Sequence, residues 1–290
     1  MAEARRRSLA REAHAKLNVF LRVERRRADG YHEIESLVLP ISLADRVAVR
    51  RSPALRLDVE GGGASGVPTG PANLALLAAL ALAERCEEPG GAEITIRKRI
   101  PVAGGLGGGS SDAAAVLLAL NELWGCGLRP RALGAVAEQL GSDVPAALRA
   151  EPVVMKGRGE TLRRARVSGP LWWTIVPFDF PVRSPDAYRW WDEDRAPSGP
   201  SATALLRAAA AGRLERLGEL LFNDLETPVM RRHPEVEEVK TRLIRAGALG
   251  AVMSGSGPTV AALARDKAHA ASLARRFPGG RAVSGPPRAA

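Results

Sequence analysis

The segment Pro101-Val-Ala-Gly-Gly-Leu-Gly-Gly-Gly-Ser-Ser-Asp112 decides the fold of this 290-residue chain. It follows Glu93–Ile100, whose alternating apolar and polar residues predict a strand, and it precedes a helix-forming run from Ala113 to Trp124. Five of the six residues from Gly104 to Gly109 are glycine, which lets successive backbone N–H groups face one anion. The first turn of the helix adds N–H groups that lack an intrahelical partner. The segment therefore predicts a polyphosphate-binding loop rather than a flexible linker, because a strand and a helix flank it directly.

Two common phosphate loops do not fit this segment. A Walker A loop needs Gly-Lys followed by Ser or Thr, and that tripeptide is absent from the sequence. A dinucleotide-binding G-x-G-x-x-G pattern that starts at Gly105 meets Ser110 where its third glycine belongs. A formal match at Gly61, Gly63 and Gly66 precedes Val-Pro-Thr-Gly-Pro instead of a helix, so we attribute it to chance.

The remaining pattern, Pro-x-x-x-Gly-Leu-Gly-x-Gly-Ser-Ser, resembles the ATP loop of the GHMP kinases, which include galactokinase, homoserine kinase and mevalonate kinase. The resemblance implies an enzyme that phosphorylates a small alcohol, with ATP as the phosphoryl donor and Mg²⁺ accompanying it. It also implies a two-lobed α+β fold with a ribosomal-S5-domain-2-like N-terminal lobe and a ferredoxin-like C-terminal lobe. The implied nucleotide contacts are Pro101, Val102, Ala103, Gly104, Gly105, Leu106, Gly107, Gly108, Gly109, Ser110 and Ser111.

Strands and helices mix along the chain without strict βαβ alternation, which independently favours an α+β fold. We predict an N-terminal ATP-binding and catalytic domain over residues 1–165 and a C-terminal GHMP kinase domain over 166–290. The predicted elements include strands at 17–23, 36–41, 45–50, 54–60 and 171–176, and helices at 73–84, 131–140, 202–221 and 235–245.

Phosphoryl transfer needs a base for the acceptor hydroxyl and positive charge near the transferred group. Asp143, in Gly141-Ser-Asp-Val-Pro145, is either the cap of a helix that Pro145 begins or a catalytic base. Lys16 is one of only five lysines among 42 basic residues, which suggests a need for a compact charge, although a surface role is the commoner one. The resemblance implies that Asp143 takes the proton and that Lys16 stabilises the developing charge.

Several further residues are candidates for binding the acceptor. Asn18 lies two residues beyond Lys16 on a predicted strand and therefore shares its face. The string Arg-x-Asp-Gly-Tyr31-His32 otherwise reads as a hairpin turn, but it resembles the segment of one GHMP kinase that reads cytosine. The resemblance implies that Tyr31 stacks on the base and His32 bonds its edge, with Ser184 and Tyr188 as further contacts and Tyr188 as the opposite stacking face.

Three other features have an open interpretation. Ala248–Val260 contains a second glycine-rich turn, which is either a tight hairpin or, by resemblance, a segment that closes over the phosphates. Asn223-Asp-Leu-Glu226 matches a family signature, but the sequence gives it no role. Lys98, just before the loop, contacts either the nucleotide or solvent, and we interpret Asp112 as an acidic residue of the first helical turn.

The composition indicates a globular protein, since 46% of its residues are hydrophobic. A net charge of +10 is typical of proteins that bind nucleic acid. Here, however, the basic residues are dispersed except at 5–7 and 25–27, and aromatic residues are only 4% of the chain, which disfavours that function. No run of about 18 apolar residues predicts a membrane span, and no apolar stretch follows the basic start as in a secretory signal. Cys86 and Cys126 lack metal-binding spacing, and we expect reduced thiols.

We therefore expect a cytoplasmic small-molecule kinase, as a monomer or weak homodimer, whose acceptor carries a cytidine diphosphate, with no nucleic-acid or membrane partner. Another GHMP kinase with an acceptor lacking cytosine is disfavoured by the Tyr31-His32 string. A basic RNA-binding protein would leave Asp143 and Lys16 without a role and would bind with steep salt dependence. A nucleotide-binding regulator that has lost catalysis is disfavoured because both candidate catalytic residues are present.

Overall fold

The computed structural model describes residues 8–64, 66–87, 89–194 and 197–287. The basic cluster Arg5–Arg7 lies outside them. The strands of the described residues are β1 Ser8–Arg26, β2 His32–Arg51, β3 Arg56–Glu60, β4 Ala92–Arg97, β5 Val153–Gly157, β6 Thr161–Arg164, β7 Leu171–Val176, β8 Phe222–Asn223, β9 Gly250–Met253, β10 Val260–Ala264 and β11 Arg281–Gly285. The helices are α1 Leu74–Ala83, α2 Gly108–Trp124, α3 Pro130–Leu140, α4 Val144–Arg149, α5 Ser184–Glu193, α6 Thr203–Ala211, α7 Leu214–Glu219, α8 Glu226–Arg232, α9 Pro234–Arg245 and α10 Lys267–Ala274.

The chain forms two compact units. Among the described residues, the first contains 8–15, Leu43–Val102 and Gly107–Ala150. In it, β3 pairs in parallel with β4, and β4 pairs antiparallel with the last residues of β2, from Arg46 to Arg51. Alternating isoleucines and valines of these strands pack against α1 and α2 in one apolar core, which α3 and Val144 of α4 complete.

The second unit contains Lys16–Ser42, Ala103–Leu106 and the chain from Glu151 onward. One sheet has the order β11-β7-β10-β9 with antiparallel pairing throughout. Elsewhere in the unit, the first half of β2 pairs antiparallel with β5, and β8 pairs in parallel with β1, with Leu21 opposite Asn223. The core of this unit includes Trp191, Leu225, Val229 and Met253.

The predicted α+β class is confirmed, and several element boundaries differ from prediction. The two strands predicted over 36–50 are one continuous strand, β2. The helix predicted over 202–221 is two helices, because Gly212 ends α6 with a φ of 66°. The segment around Tyr188, for which no element is predicted above, is helical in α5. The sequence analysis did not identify β5, β6 and β11.

The two units do not coincide with the two predicted domains, because the long strands β1 and β2 each contribute residues to both. The units are defined by contacts within the folded chain, whereas the predicted domains are consecutive segments. The division at residue 165 stays a prediction. Within the described part of the chain, no helix is long and apolar enough to cross a membrane.

The expectation of reduced thiols is wrong for this structure, because Cys86 and Cys126 form a disulfide with a Cα–Cα distance of 5.0 Å. The sequence pattern gave no sign of it, because the two residues are 40 positions apart. The cause is the packing of α1 against α2, since Cys86 follows the end of α1 and Cys126 follows the end of α2.

Candidate functional site

The glycine-rich loop joins β4 to α2, as predicted, but the helix begins at Gly108, five residues earlier than expected. Gly105 and Gly107 have φ angles of 74° and 69°, in the left-handed region that glycine adopts without strain. Ala103 also has a positive φ, 52°, which is unusual for a residue with a Cβ atom. The early start of α2 places glycines in its first turn, where the backbone N–H groups have no intrahelical acceptor. This arrangement suits an anion.

The carbonyl groups of three consecutive loop residues are held by hydrogen bonds within the second unit. The backbone N–H of Thr259 donates to Gly104 at 3.3 Å, and that of Lys16 donates to Leu106 at 2.9 Å. The carbonyl of Gly105 accepts from Ser254 Oγ and from Lys16 Nζ, both at 3.0 Å. A Cβ atom built on Gly105 would overlap the carbonyl oxygen of Ser254. The loop conformation is therefore fixed by the protein through its carbonyl groups.

Lys16 and Asn18 lie on one face of β1, as the sequence predicts. Lys16 Nζ donates to Asn18 Oδ1 at 2.5 Å in addition to the loop carbonyl of Gly105. Asn18 is itself oriented, because its Nδ2 donates at 2.8 Å to Ser36 Oγ, which in turn donates to the carbonyl of Phe20. The ammonium group of Lys16 thus has a defined position beside the glycine-rich loop.

Asp143 occupies the N-cap position of α4, and Pro145 lies in the first turn, as the sequence predicts. Within the part of the chain that the structure describes, its side chain makes no capping hydrogen bond to α4. The carboxylate is half-buried. Asp143 belongs to the first unit and Lys16 to the second. The catalytic roles of both residues stay predictions.

Lys98 does not face solvent, because it is buried between the carboxylates of Asp45 and Asp112. Burial alone would lower the pKa of Lys98, but the two carboxylates outweigh it and raise the pKa. Burial raises the pKa of Asp112 to about 7, against the opposing effect of the Lys98 ammonium. The interpretation of Asp112 as an acidic residue of the first helical turn is wrong, because α2 begins at Gly108 and its first turn contains no acidic residue. Next to it, Ser111 Oγ donates to the backbone carbonyls of His14 and Gly107.

The candidate acceptor residues of the second unit form two groups. His32 Nε2 lies 2.9 Å from Asp192 Oδ1, and the His32 ring stacks on Tyr188 with centroids 4.8 Å apart. In the tautomer that donates from Nε2 to Asp192, Nδ1 of His32 is a hydrogen-bond acceptor. Tyr31 is 51% exposed, and the guanidinium of Arg158 covers one ring face at 5.3 Å. Tyr188 packs on His32 in this structure, and its role as the stacking face opposite Tyr31 stays a prediction.

Ser184 begins α5, and its Oγ lies 3.0 Å from Ser256 Oγ of the second glycine-rich turn. The sequence analysis missed Asp192, Arg158 and Ser256 as partners of candidate site residues. Asp192 lies four residues beyond Tyr188, so the two share one face of a helix. This spacing is the sequence signal that could have placed Asp192 near the candidate site. Arg158 is one of many arginines, and only the folded chain identifies it.

Comparison with known proteins agrees with the fold and with the glycine-rich loop. The model of the GHMP kinases N-terminal domain matches residues 73–151, and that of the GHMP kinases C-terminal domain matches residues 205–279. The chain belongs to the GHMP kinase family. It is therefore a small-molecule kinase, as the sequence predicts.

Within that family, the chain is similar to proteins named 4-diphosphocytidyl-2-C-methyl-D-erythritol kinase. It is 43% identical to the one from Pelotomaculum thermopropionicum, with coverage of 91% of this chain and 92% of the relative. It is 42% identical to the one from Symbiobacterium thermophilum, with 92% and 94% coverage.

Solved structures give the same result. A crystal structure of 4-(cytidine 5'-diphospho)-2C-methyl-D-erythritol kinase has a TM-score of 0.80 and 39% identity, and the match covers 96% of this chain and 98% of that one. Homoserine kinase from Cytophaga hutchinsonii has a TM-score of 0.73 at 19% identity, with 96% and 94% coverage, and this likeness extends to the fold alone.

Proposed function

We propose that this enzyme transfers the γ-phosphoryl group of ATP to the 2-hydroxyl of 4-diphosphocytidyl-2-C-methyl-D-erythritol, in the non-mevalonate route to isoprenoid precursors. The observation that carries the proposal is identity of about 40% over nine-tenths of the chain with kinases of that name. The Tyr31-His32 string supports the same acceptor, because other GHMP kinase acceptors carry no cytosine.

The nucleotide would bind at residues 101–111, with its phosphates facing the glycine amides and the first turn of α2. In the described residues, no group of three or more His, Cys, Asp or Glu side chains comes together as a metal site. Mg²⁺ would enter as part of the MgATP substrate, where it would offset the negative charge of the phosphates, and no protein ligand is assigned to it.

In the proposed chemistry, the acceptor oxygen attacks the γ-phosphorus in line, and the bond to the ADP oxygen breaks. The carboxylate of Asp143 accepts the hydroxyl proton. The ammonium of Lys16, oriented by Asn18 and by the Gly105 carbonyl, stabilises the negative charge near the transferred group. The assignment of Asp143 as a base is supported by the resemblance of Gly141-Ser-Asp-Val-Pro145 to the segment that carries the catalytic aspartate of this family.

The cytidine end of the acceptor would be recognised by stacking on Tyr31 and by a hydrogen bond to His32. The hydrogen bond to Asp192 supports this role, because it leaves Nδ1 as an acceptor, and the exocyclic amine of cytosine is a donor. Tyr188 and Ser184 would complete this region, with Tyr188 acting through its stacking on His32. We also propose that the enzyme works in the cytoplasm, as a monomer or weak homodimer, without nucleic-acid or membrane partners.

The test is ADP release measured with purified enzyme, MgATP and the diphosphocytidyl acceptor. Homoserine and mevalonate serve as comparison acceptors that lack cytosine. We expect turnover with the diphosphocytidyl acceptor alone, a loss of turnover in Asp143→Ala and Lys16→Ala, and an increased acceptor KM in Tyr31→Ala with a smaller change in kcat. Equal turnover of homoserine would overturn the substrate assignment, and unchanged turnover in both catalytic variants would overturn the residue roles.

A further inference from the structure

The segment Asn223-Asp-Leu-Glu226 connects β8 to α8 in the second unit, and each of its polar side chains binds a backbone group elsewhere in that unit. Asn223 is buried, and its Nδ2 donates to the carbonyls of Met253 and Gly255, both at 2.7 Å. Its Oδ1 accepts from the N–H of Leu225 at 2.9 Å. Both amide hydrogens and the amide oxygen are thus used, which a carboxylate in the same place would not reproduce.

Glu226 holds the other side of the same peptide segment. Its Oε1 accepts from the backbone N–H of Met253 at 2.7 Å, and its Oε2 accepts from Lys240 Nζ at 2.6 Å. Met253 is therefore bound through its N–H by Glu226 and through its carbonyl by Asn223. The backbone from Met253 to Gly255, which begins the second glycine-rich turn, is fixed by these two side chains.

The fixed backbone lies against the residues proposed for phosphoryl transfer. Ser254 Oγ accepts from the N–H of Asn18 at 3.1 Å and donates to the carbonyl of Gly105 at 3.0 Å. A Cβ atom on Gly255 would lie 3.1 Å from Lys16 Nζ and 2.9 Å from Asn18 Oδ1. The turn is thus the immediate neighbour of the Lys16 ammonium, and a side chain at Gly255 would displace it.

The segment also holds the strand that carries Lys16. Asp224 Oδ2 accepts from the N–H of Val23 in β1 at 2.7 Å and from the N–H of Gly199 at 3.2 Å. Asn223 itself pairs with Leu21 of β1. One short segment therefore fixes β1 and the glycine-rich turn, the two parts of the second unit between which the Lys16 ammonium lies.

We propose that Asn223 and Glu226 are positioning residues for phosphoryl transfer, which set the places of the Lys16 ammonium and the Gly105 carbonyl through the backbone of Met253–Gly255. This inference rests on the proposed function. It predicts a specific kinetic pattern, because the backbone of Met253–Gly255 lies against Gly105 and Lys16, whereas the acceptor candidate Ser184 is bonded to the next residue of the turn, Ser256. Disturbing Asn223 should therefore change kcat and the KM for ATP more than the KM for the acceptor.

The decisive variant is Asn223→Asp, which keeps the shape of the side chain and replaces two N–H donors with an oxygen facing two carbonyls. We expect kcat to fall by about 10- to 100-fold and the KM for ATP to rise, as for a small displacement of reacting groups. Burial beside two carbonyls favours the neutral form of the introduced carboxyl, which can donate one hydrogen bond. The deficit relative to wild type should therefore shrink as the pH is lowered from about 8.5 to 6.

Two controls separate positioning from loss of folding. Asn121→Asp removes the hydrogen bond from Asn121 Nδ2 to the carbonyl of Leu128 in the first unit and keeps an oxygen for the N–H of Leu128, and should lower Tm without changing the KM for ATP. Glu226→Ala should reproduce the Asn223→Asp pattern more weakly, whereas Glu226→Gln retains an oxygen for Met253 N–H and should restore the KM for ATP. The Glu226 pair also tests the inference if Asn223→Asp does not fold.

A wild-type kcat and KM for ATP in Asn223→Asp would overturn the inference. The inference would also be overturned if kcat falls only in proportion to the titrated concentration of active enzyme while the KM values stay unchanged. If the wild-type enzyme does not phosphorylate the diphosphocytidyl acceptor, the proposed function fails. The inference about Asn223 is then tested by nucleotide binding alone. Calorimetric titration with a non-hydrolysable ATP analogue should then show weaker binding to Asn223→Asp than to wild type or to Asn121→Asp, and equal binding overturns it.

Discussion

The glycine-rich loop and the second glycine-rich turn are similar in composition, but the structure holds them in different ways. Behind the loop, the helix α2 is tied by charges at its start, where Asp112 binds Lys98, and by a covalent bond after its end, through Cys126. The second turn is held mainly by neutral amide and carbonyl groups, through Asn223. The strength of an ion pair depends on pH, and a disulfide can be broken by a reductant. Hydrogen bonds between amide and carbonyl groups are changed by neither, and only a substitution removes them.

The two glycine-rich segments also use glycine for different purposes. In the glycine-rich loop, the positive φ of Gly105 and Gly107 sets the backbone so that amides precede a helix. In the second turn, the absence of a Cβ at Gly255 leaves space for Lys16 Nζ. Gly105 meets both needs, because it has a positive φ and lies against the carbonyl of Ser254.

The largest expected effect is therefore that of Gly105→Ala. The new Cβ would overlap a backbone carbonyl, which cannot rotate away as a side chain can, and the left-handed conformation itself costs an alanine about 1–2 kcal/mol. The loop would have to move, and we expect kcat/KM for ATP to fall by about 100-fold or more. Steady-state kinetics with varied MgATP measures this.

Gly134→Ala is the matched control. Gly134 lies inside α3 with no atom near an added Cβ, so alanine should stabilise the protein by up to about 1 kcal/mol through helix propensity. If Gly105→Ala retains the wild-type kcat/KM for ATP, the close approach of the two glycine-rich segments has no functional importance.

The sequence predicted the chemistry-bearing parts of the site better than the groups that hold them. The loop, the shared face of Lys16 and Asn18, and the position of Asp143 before α4 follow from local patterns of glycine, alternation and helix capping. The partners of Lys98 and the disulfide do not, because they join residues that meet only when strands and helices pack. The role of Asn223 depends on contacts with Met253 and Gly255, about 30 residues away, which no local pattern encodes.

The disulfide between Cys86 and Cys126 predicts the second largest effect, a change in stability. Cross-linking residues 40 positions apart removes entropy from the unfolded chain and stabilises the folded protein by about 4 kcal/mol on the chain-entropy model. Reduction, or the double variant Cys86→Ser with Cys126→Ser, should lower the free energy of unfolding measured by urea denaturation. The reductant should have no effect on the double variant, which serves as its own control. A wild-type protein with two titratable thiols and unchanged stability would show that the disulfide does not form in solution.

The ion pair of Asp112 with Lys98 predicts the smallest effect, a dependence of the free energy of unfolding on pH. The pKa of Asp112 is raised to about 7 in the folded protein, whereas an aspartate in the unfolded chain titrates near 3.9. Between these values the folded state binds more protons than the unfolded state, so the contribution of Asp112 to stability is present at low pH and is lost as the pH rises through 7. The slope is up to about 1.4 kcal/mol per pH unit.

Asp112→Asn should remove this slope between about pH 4 and 7, because the amide remains neutral while Lys98 keeps its ion pair with Asp45. Urea denaturation of wild type and variant at several pH values in that window measures the difference. Asp58→Asn, at an exposed position of β3, is the control and should leave the slope unchanged. Parallel curves for wild type and Asp112→Asn would mean that Asp112 stays ionised in the folded protein. The ion pair between Lys98 and Asp112 would then be insensitive to pH in this range, like the hydrogen bonds of Asn223 to the second turn.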